Sequence, residues 1–321
     1  MRCIGVMTSG GDAPGMNACI RAVVRTAAYH GVRVLGIRRG FQGLIEGEIA
    51  ELRPRDVGGI IQRGGTILQT ARSKEFMTEE GQRKALRRLN QYGIEGLVVI
   101  GGDGSMRGAL ALHQRGFPVV GVPASIDNDI WGTNMSIGVD TALNTIINAI
   151  DRLRDTASSI GRAFLVETMG RDCGYLALIA GVIGGAEMVL IPERETSLEE
   201  VARAVMDAYE RGKTHALIVI AEGARYRTTE VARFLESHPI GFDVRITILG
   251  HIQRGGSPTA FDRLLATRMG VKAVEALLAG ERGVMTALQG RDIVTLPLEE
   301  VVQRRREANL AYYNMVLMLA R

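Results

Sequence analysis

Short apolar runs alternate along the chain with longer stretches whose apolar residues recur every three or four positions, and a glycine-rich turn often marks the change. "CIGVMTS" precedes "MNACIRAVVRTAAYH", "GLVVIGGDG" precedes "SMRGALALHQRG", and "PVVGVPAS" precedes "DTALNTIINAIDRLRDTA". Strand, turn and helix in that order predict parallel strands with helices on both faces. A second series, "RAFLVET", "MVLIPE", "HALIVIAEG" and "RITILGH", repeats the arrangement. The expected fold class is therefore α/β, with two doubly wound, mainly parallel-sheet domains. No Pro/Ser-rich linker separates the two series, so the chain is expected to cross between domains more than once.

Composition narrows the function classes. The 321 residues include 40 glycines and only 5% aromatic residues, which suits tight α/β turns better than a β-sandwich. A formal net charge of +4 leaves room for an anionic partner. Lys and Arg are interspersed with Asp and Glu, so anionic metabolites fit, and no nucleic-acid partner is expected. Cys3, Cys19 and Cys173 show no metal-type spacing and are odd in number, which predicts reduced thiols and a cytoplasmic location. The N-terminal apolar run is too short for a signal peptide, and no segment predicts a membrane span.

In sheets of this kind ligands sit beyond the carboxyl ends of the strands, so the residues following each run carry the chemistry. "TSGGDAPGMN" (Thr8 to Asn17) places Gly10, Gly11 and Gly15 before a helix start, a phosphate-loop candidate whose spacing is neither G-x-G-x-x-G nor a Walker loop. Taken alone it also fits a simple strand-to-helix turn. "GGDGS" ending at Ser105 sets Asp103 between glycines, where a carboxylate beside a phosphate cradle calls for Mg²⁺. The alternative there is an Asx-type turn or a helix cap. "VPASIDNDIW" leaves Asp127 and Asp129 after an apolar run; in an extended segment both point to one side. One of them can take a proton from an attacking hydroxyl. Further along, Met169, Gly170 and Arg171, Glu222, and His251 with Arg254 follow later runs, while Arg162 and Arg245 flank strands. Several arginine forks with a histidine suggest a sugar-phosphate site, although each Arg singly also reads as a solvated surface charge.

Over essentially its whole length the chain resembles the bacterial ATP-dependent 6-phosphofructokinases, through "TSGGDAPGMNA", "RGGTILQTARS", "GGDGS", "SIDND", "ETMGR", "AEG" and "GHIQRGGSPTAFDR". The resemblance implies transfer of the ATP γ-phosphoryl group to the 1-hydroxyl of fructose 6-phosphate, giving fructose 1,6-bisphosphate and ADP. It implies a larger ATP/Mg-binding domain of residues 1–140 plus 253–304, and a smaller sugar-phosphate domain of 141–252 plus 305–321. Asp127 would be the general base and Asp103 the Mg²⁺ ligand, with Asp129, Ser125, Arg72 and Arg171 supporting the transfer. ATP would meet Gly11, Phe41, Arg72, Ser73, Gly102, Asp103, Gly104, Ser105 and Gly108. Fructose 6-phosphate would meet Ser125, Ile126, Asp127, Met169, Gly170, Arg171, Glu222, His251, Ile252, Gln253 and Arg254. Arg162 and Arg245 would reach it from a neighbouring subunit of a homotetramer.

The same resemblance implies an effector site for ADP or phosphoenolpyruvate at a subunit interface. Its lining would be Arg21, Ala22, Val23, Val24 and Arg25, with Arg154, Gly185, Ala186, Glu187, Arg211, Lys213, Thr214 and His215, and Glu187 would bind the Mg²⁺ of ADP. Arg21 and Arg25, four apart on one helix face, also read as a solvated basic face.

Three rival readings remain. A pyrophosphate-dependent phosphofructokinase shares the fold; Gly104 and Ala124 stand where such relatives commonly carry aspartate and lysine. An aspartyl-phosphate phosphatase would need a threonine two places after the second acid, which "DNDIW" lacks. A non-catalytic nucleotide sensor predicts loss of an acid among Asp103, Asp127 and Asp129, and all three are present.

Overall fold

Every residue of Cys3–Ser9, Gly96–Gly101 and Val119–Pro123 is buried, as parallel strands covered by helices on both faces require. The computed structural model describes residues 1–320, with the backbone alone at positions 157–160. The strands are β1 (Cys3–Ser9), β2 (Arg33–Ile37), β3 (Ile49–Glu51), β4 (Gly96–Gly101), β5 (Val119–Pro123), β6 (Arg162–Thr168), β7 (Met188–Leu190), β8 (Ala216–Ala221), β9 (Asp243–Ile248), β10 (Val284–Gln289) and β11 (Asp292–Pro297). The chain divides into two compact units. The first holds Met1–Ile126, Ile130–Thr141 and Arg254–Arg305; the second holds Asp127–Asp129, Ala142–Gln253 and the segment from Arg306.

The first unit is built on a seven-stranded sheet in the order β11-β10-β5-β4-β1-β2-β3. Its centre is parallel, and the antiparallel pairs β2–β3 and β10–β11 close its two edges. These edge pairs extend the sheet beyond the runs that the apolar pattern marks. Met7, Leu97, Val99 and Val119 pack with Phe41, Leu44, Leu89, Met106 and Leu112 from the covering helices. Helices Met16–Tyr29 and Ala260–Leu278 pack on each other, and the second of them also lies on β4, β5 and β10.

One buried acid ties this unit together. Asp262, in the first turn of helix Ala260–Leu278, accepts hydrogen bonds from Gly138 N (2.9 Å), Thr141 N (2.8 Å) and Thr141 Oγ1 (2.6 Å). Burial pushes its pKa up to about 6, against the opposing pull of those three donors.

The second unit is built on an all-parallel sheet in the order β7-β8-β6-β9. Strand β7 is three residues long, shorter than the apolar run around it. The Ser197 side chain caps helix Leu198–Glu210 and Glu200 returns a bond to the Ser197 amide, the reciprocal pair that "SLEE" encodes. All three cysteines are free and buried, and burial raises the thiol pKa of Cys19 and, to about 12, of Cys173. Among the described residues no helix is long and apolar enough to cross a membrane.

Candidate active site

Strand register decides where the segments that follow β1, β4 and β5 meet. Ser9 pairs with Gly101, and Gly101 pairs with Pro123, so the carboxyl ends of β1, β4 and β5 lie side by side. The strand order reverses at β1, which makes this edge a topological switch point, the place where open α/β sheets hold ligands. Helix Met16–Tyr29 begins after Gly15 and helix Asp103–Gln114 after Gly102, and neither start is capped by a side chain. Ser105 lies beneath both turns: a Cβ built at Gly10 would sit 3.3 Å from its Oγ. That Oγ is buried without a hydrogen-bond partner, an acceptor and donor held where a polar ligand would satisfy it.

Asp103 is the first residue of its helix, and its carboxylate receives Arg107 Nε at 2.9 Å one turn later. A paired carboxylate keeps lone pairs for a hard cation, and a single acid with phosphate oxygens is the donor set Mg²⁺ takes. No group of three or more His, Cys, Asp or Glu suited to a metal occurs among the described residues. The residues present thus fit a cation shared with a phosphate and do not form an all-protein cage. Gly104 is exposed, with nothing within 4 Å of an added Cβ. Phe41 is placed in the core, stacked on Phe76 with ring centroids 4.0 Å apart. Gly108 lets its helix approach that ring, since a Cβ there would lie 2.5 Å from Phe41 Cζ. Arg72 is exposed, and Ser73 Oγ accepts Phe76 N at 3.1 Å.

The extended geometry expected for Asp127 and Asp129 is not what the chain adopts. Strand β5 ends at Pro123, a turn occupies Ile126 and Asp127, and Asn128 takes a left-handed backbone with φ of 53°. Alternation stops where the strand stops, so the argument that both acids point to one side does not hold here. Asp127 and Asp129 are each half-buried, and the Asp129 carbonyl accepts Arg306 N at 3.1 Å. Ser125 is half-buried and Ile126 fully buried.

In the second unit the candidate residues separate into two groups. Met169, Gly170 and Arg171 follow the carboxyl end of β6 and Glu222 follows that of β8; Glu222 N donates to Thr168 O at 2.9 Å. Arg162 opens β6, and Arg245 lies near the start of β9, where Arg162 pairs with Asp243 and Phe164 with Arg245. At about 3.3 Å per residue, Arg162 and Met169 stand roughly 20 Å apart along the sheet. One small sugar phosphate cannot bridge that span within a single chain. Gln253 is fully buried; its Oε1 accepts Met169 N at 3.2 Å and its Nε2 donates to Gly250 O at 2.9 Å, so it braces the β6 turn. His251 and Ile252 beside it are exposed. Arg254, in the first unit, donates from Nη1 to Asp12 O at 3.2 Å.

The amino ends of this sheet hold most of the candidate effector residues. Lys213 Nζ meets Glu187 Oε1 at 3.1 Å and donates to Ala320 O at 2.9 Å. The other Glu187 oxygen accepts Leu217 N, so both oxygens of this buried acid have protein partners. Arg154 donates to Gly184 O and Gly185 O. His215 has its pKa lowered, first by burial and then by Arg154 and Lys213, with Glu187 opposing. Ala186 is buried and Thr214 exposed. An adjoining cleft of about 380 Å³ is lined by Glu187, Arg194, Arg203, Asp207, Arg211 and Tyr313. In the first unit, Arg21 and Arg25 lie on helix Met16–Tyr29 beside the buried Ala22, Val23 and Val24, and Arg25 donates to Pro54 O at 3.4 Å.

Two supporting residues escaped the sequence analysis. Asn17, buried, donates to Arg63 O (3.1 Å) and Gly64 O (3.2 Å) and accepts Ile67 N (2.8 Å), pinning the loop that leads to Arg72. Its position just after the glycine turn was the only signal. Tyr175 is hydrogen-bonded to the Asn128 side chain, and no local motif announces that pairing.

Residues 3–277 match the phosphofructokinase family model. The chain belongs to the phosphofructokinase family. It is 54% identical over 321 residues, with full coverage of both chains, to the ATP-dependent 6-phosphofructokinase of Thermotoga neapolitana. It is 53% identical, also with full coverage of both, to ATP-dependent 6-phosphofructokinase 1 of Thermus thermophilus. Among solved structures, Pichia pastoris phosphofructokinase in the T-state superposes with a TM-score of 0.90 at 40% identity, covering 94% of this chain and 35% of that one. A pyrophosphate-dependent phosphofructokinase from Marinobacter aquaeolei shares the fold alone, with a TM-score of 0.88 at 21% identity over 100% of this chain and 91% of that one.

Proposed function

We propose that this phosphofructokinase transfers the γ-phosphoryl group of ATP to the 1-hydroxyl of fructose 6-phosphate in the cytoplasm. The observation that carries the reading is the alignment of the β1, β4 and β5 carboxyl ends, which gathers two glycine turns, Asp103 and the unsatisfied Ser105 hydroxyl on one edge. The full-length similarity to ATP-dependent enzymes supports the choice of donor.

Phosphoryl transfer leaves the protein little covalent work, so catalysis is positioning and charge stabilisation. Backbone amides at Gly11 and at Gly102 to Gly104, with the Ser105 hydroxyl, bind the donor's phosphates, and Gly108 shapes the nucleotide side. Mg²⁺, held by Asp103 with phosphate oxygens, supplies neutralising charge when bound. Asp127 takes the proton of the acceptor hydroxyl as its oxygen attacks phosphorus and the bond to the ADP leaving oxygen breaks. Asp129 and Ser125 orient that exchange. Arg72 and Arg171 stabilise charge on the moving group. Met169, Gly170, Glu222, His251 and Arg254 hold the sugar phosphate, and Arg162 and Arg245 complete the site of a neighbouring chain in a homotetramer. ADP or phosphoenolpyruvate regulates through the Arg154, Glu187 and Lys213 cluster together with Arg21 and Arg25.

Pyrophosphate as donor is disfavoured by Ala124. This residue is 1% exposed and its amide donates to Gly101 O at 2.9 Å, so position 124 holds a small uncharged side chain where that donor calls for the fixed counter-charge of a lysine.

The decisive experiment is steady-state kinetics of Asp127→Ser with ATP and fructose 6-phosphate. Loss of a general base lowers kcat by about 10²–10⁴-fold with far smaller changes in KM. A kcat within about tenfold of the parent sinks the assignment.

A further inference from the structure

Asn128, between the two acids, is held in a way that neither its neighbours nor the mechanism above explains. Non-glycine residues with a left-handed backbone are Arg39, Gln69 and Asn128 among those described. Arg39 and Gln69 reach solvent, whereas Asn128 is fully buried. L-residues disfavour this region because Cβ crowds the following carbonyl, and asparagine tolerates it better than most. Such a conformation persists only where the surroundings over-determine it, and it concentrates at working sites.

The surroundings here are identifiable. The Asn128 side chain is hydrogen-bonded to Tyr175, and the guanidinium of Arg306 stands 5.4 Å from the Tyr175 ring centre. The Arg306 amide donates to the Asp129 carbonyl. One residue on, Ile130 forms an antiparallel bridge with Arg305, and Arg304 lies 4.7 Å over the Trp131 ring. The segment is anchored beyond Arg306 as well: Ala308 N donates to Glu193 Oε1 at 2.9 Å, and the same carboxylate accepts Gly174 N at 2.9 Å, next to Tyr175. Arg306, Arg305 and Arg304 thus meet Asp129, Ile130 and Trp131 in turn.

We infer that Asn128 is a positioning residue whose left-handed backbone, locked by Tyr175 and by the Arg306 bond to Asp129, sets the direction in which Asp127 presents its carboxylate. The inference rests on the phosphoryl-transfer reading, in which that carboxylate receives the acceptor's proton. Asn128 itself exchanges no proton. An L-residue that relaxes toward the right-handed or extended region rotates the peptides on both sides and turns Asp127 away from its line. Glycine keeps the left-handed backbone without the side chain.

The test compares parent, Asn128→Ala and Asn128→Gly by steady-state kinetics with ATP and fructose 6-phosphate, alongside thermal unfolding. The expected result for Asn128→Ala is a kcat lower by about 10–100-fold, the cost of misplacing a reacting group by about an ångström, with both KM values within a few-fold of the parent. Asn128→Gly is expected to recover at least about tenfold of that loss. A glycine variant as slow as the alanine variant overturns the backbone assignment, as does an alanine variant with parental kcat. A change confined to KM also overturns it. A parent without phosphoryl transfer defeats the functional reading instead.

Discussion

The guanidinium of Arg254 lies directly against Gly11. A Cβ at Gly11 would meet its Nη1 and stand 2.9 Å from its Cζ, while that Nη1 donates to the neighbouring Asp12 carbonyl. A residue expected to bind the sugar phosphate and a turn expected to bind the donor's phosphates are therefore in contact within the first unit. Gly11→Ala should move the end of a flexible side chain and leave the backbone alone, because Gly11 has no positive φ. The expected outcome is a several-fold rise in KM for fructose 6-phosphate, with unfolding free energy changed by no more than about 0.5 kcal/mol. Steady-state kinetics and thermal unfolding measure the two sides, and an unchanged KM removes the coupling.

Gly104 gives a cleaner electrostatic test. Since nothing lies within 4 Å of an added Cβ, Gly104→Asp brings charge without a clash. Two like unit charges about 4 Å apart at an effective dielectric near 20 repel by about 4 kcal/mol. A fall of more than tenfold in kcat/KM for ATP is therefore expected, about 1.4 kcal/mol or more, partly relieved by salt. Retention of full ATP activity, or a parent that prefers pyrophosphate, contradicts the reading of this turn.

Arg162 and Met169 at opposite ends of β6 predict sites shared between chains. Arg162→Ser and Asp127→Ser should each be nearly inactive alone. After dissociation, mixing and reassembly, some sites would combine an intact Asp127 from one chain with an intact Arg162 from another. Activity regained on mixing is the expected outcome, read by a coupled assay. A mixture no more active than its components places both residues in one chain's site.

Asp262 predicts an unusual pH dependence of stability. Its folded pKa is raised to about 6 from the ordinary aspartate value of about 3.9, so between those values the folded state binds the extra proton. Its contribution to stability is thus full below about pH 4 and is lost as pH rises through about 6, on the order of 2–3 kcal/mol. Asp262→Asn lacks that titration, so the stability advantage of the parent over the variant should be larger at pH 4 than at pH 7. Denaturant unfolding at both values measures it, and a difference independent of pH refutes the assignment.

Much of the site was legible because its residues follow strands in sequence as well as in space. Gly11, Asp103 and Ser125 could each be placed at a strand end from apolar runs alone, and the register then set those ends side by side. The geometry of Asp127 and Asp129 was not legible, because period-two reasoning needs a strand and β5 stops at Pro123. Tyr175 and Arg306 reach the turn from distant parts of the chain, and no local pattern carries such pairings. Phe41 illustrates the converse: an aromatic residue expected to meet ATP is stacked on Phe76, and Gly108 admits a helix over it. The β3 edge was missed for a simpler reason, since three residues are too short to show a period.

The seclusion of the three cysteines has a practical reach. Cys3, Cys19 and Cys173 are 3%, 0% and 1% exposed, and two of the thiols are further disfavoured as thiolates by burial. Alkylating reagents attack the thiolate, so the folded enzyme offers them almost nothing to modify. A single cysteine introduced at an exposed position, such as Met77 or Tyr29, would then take a maleimide dye without first stripping the native thiols from the chain.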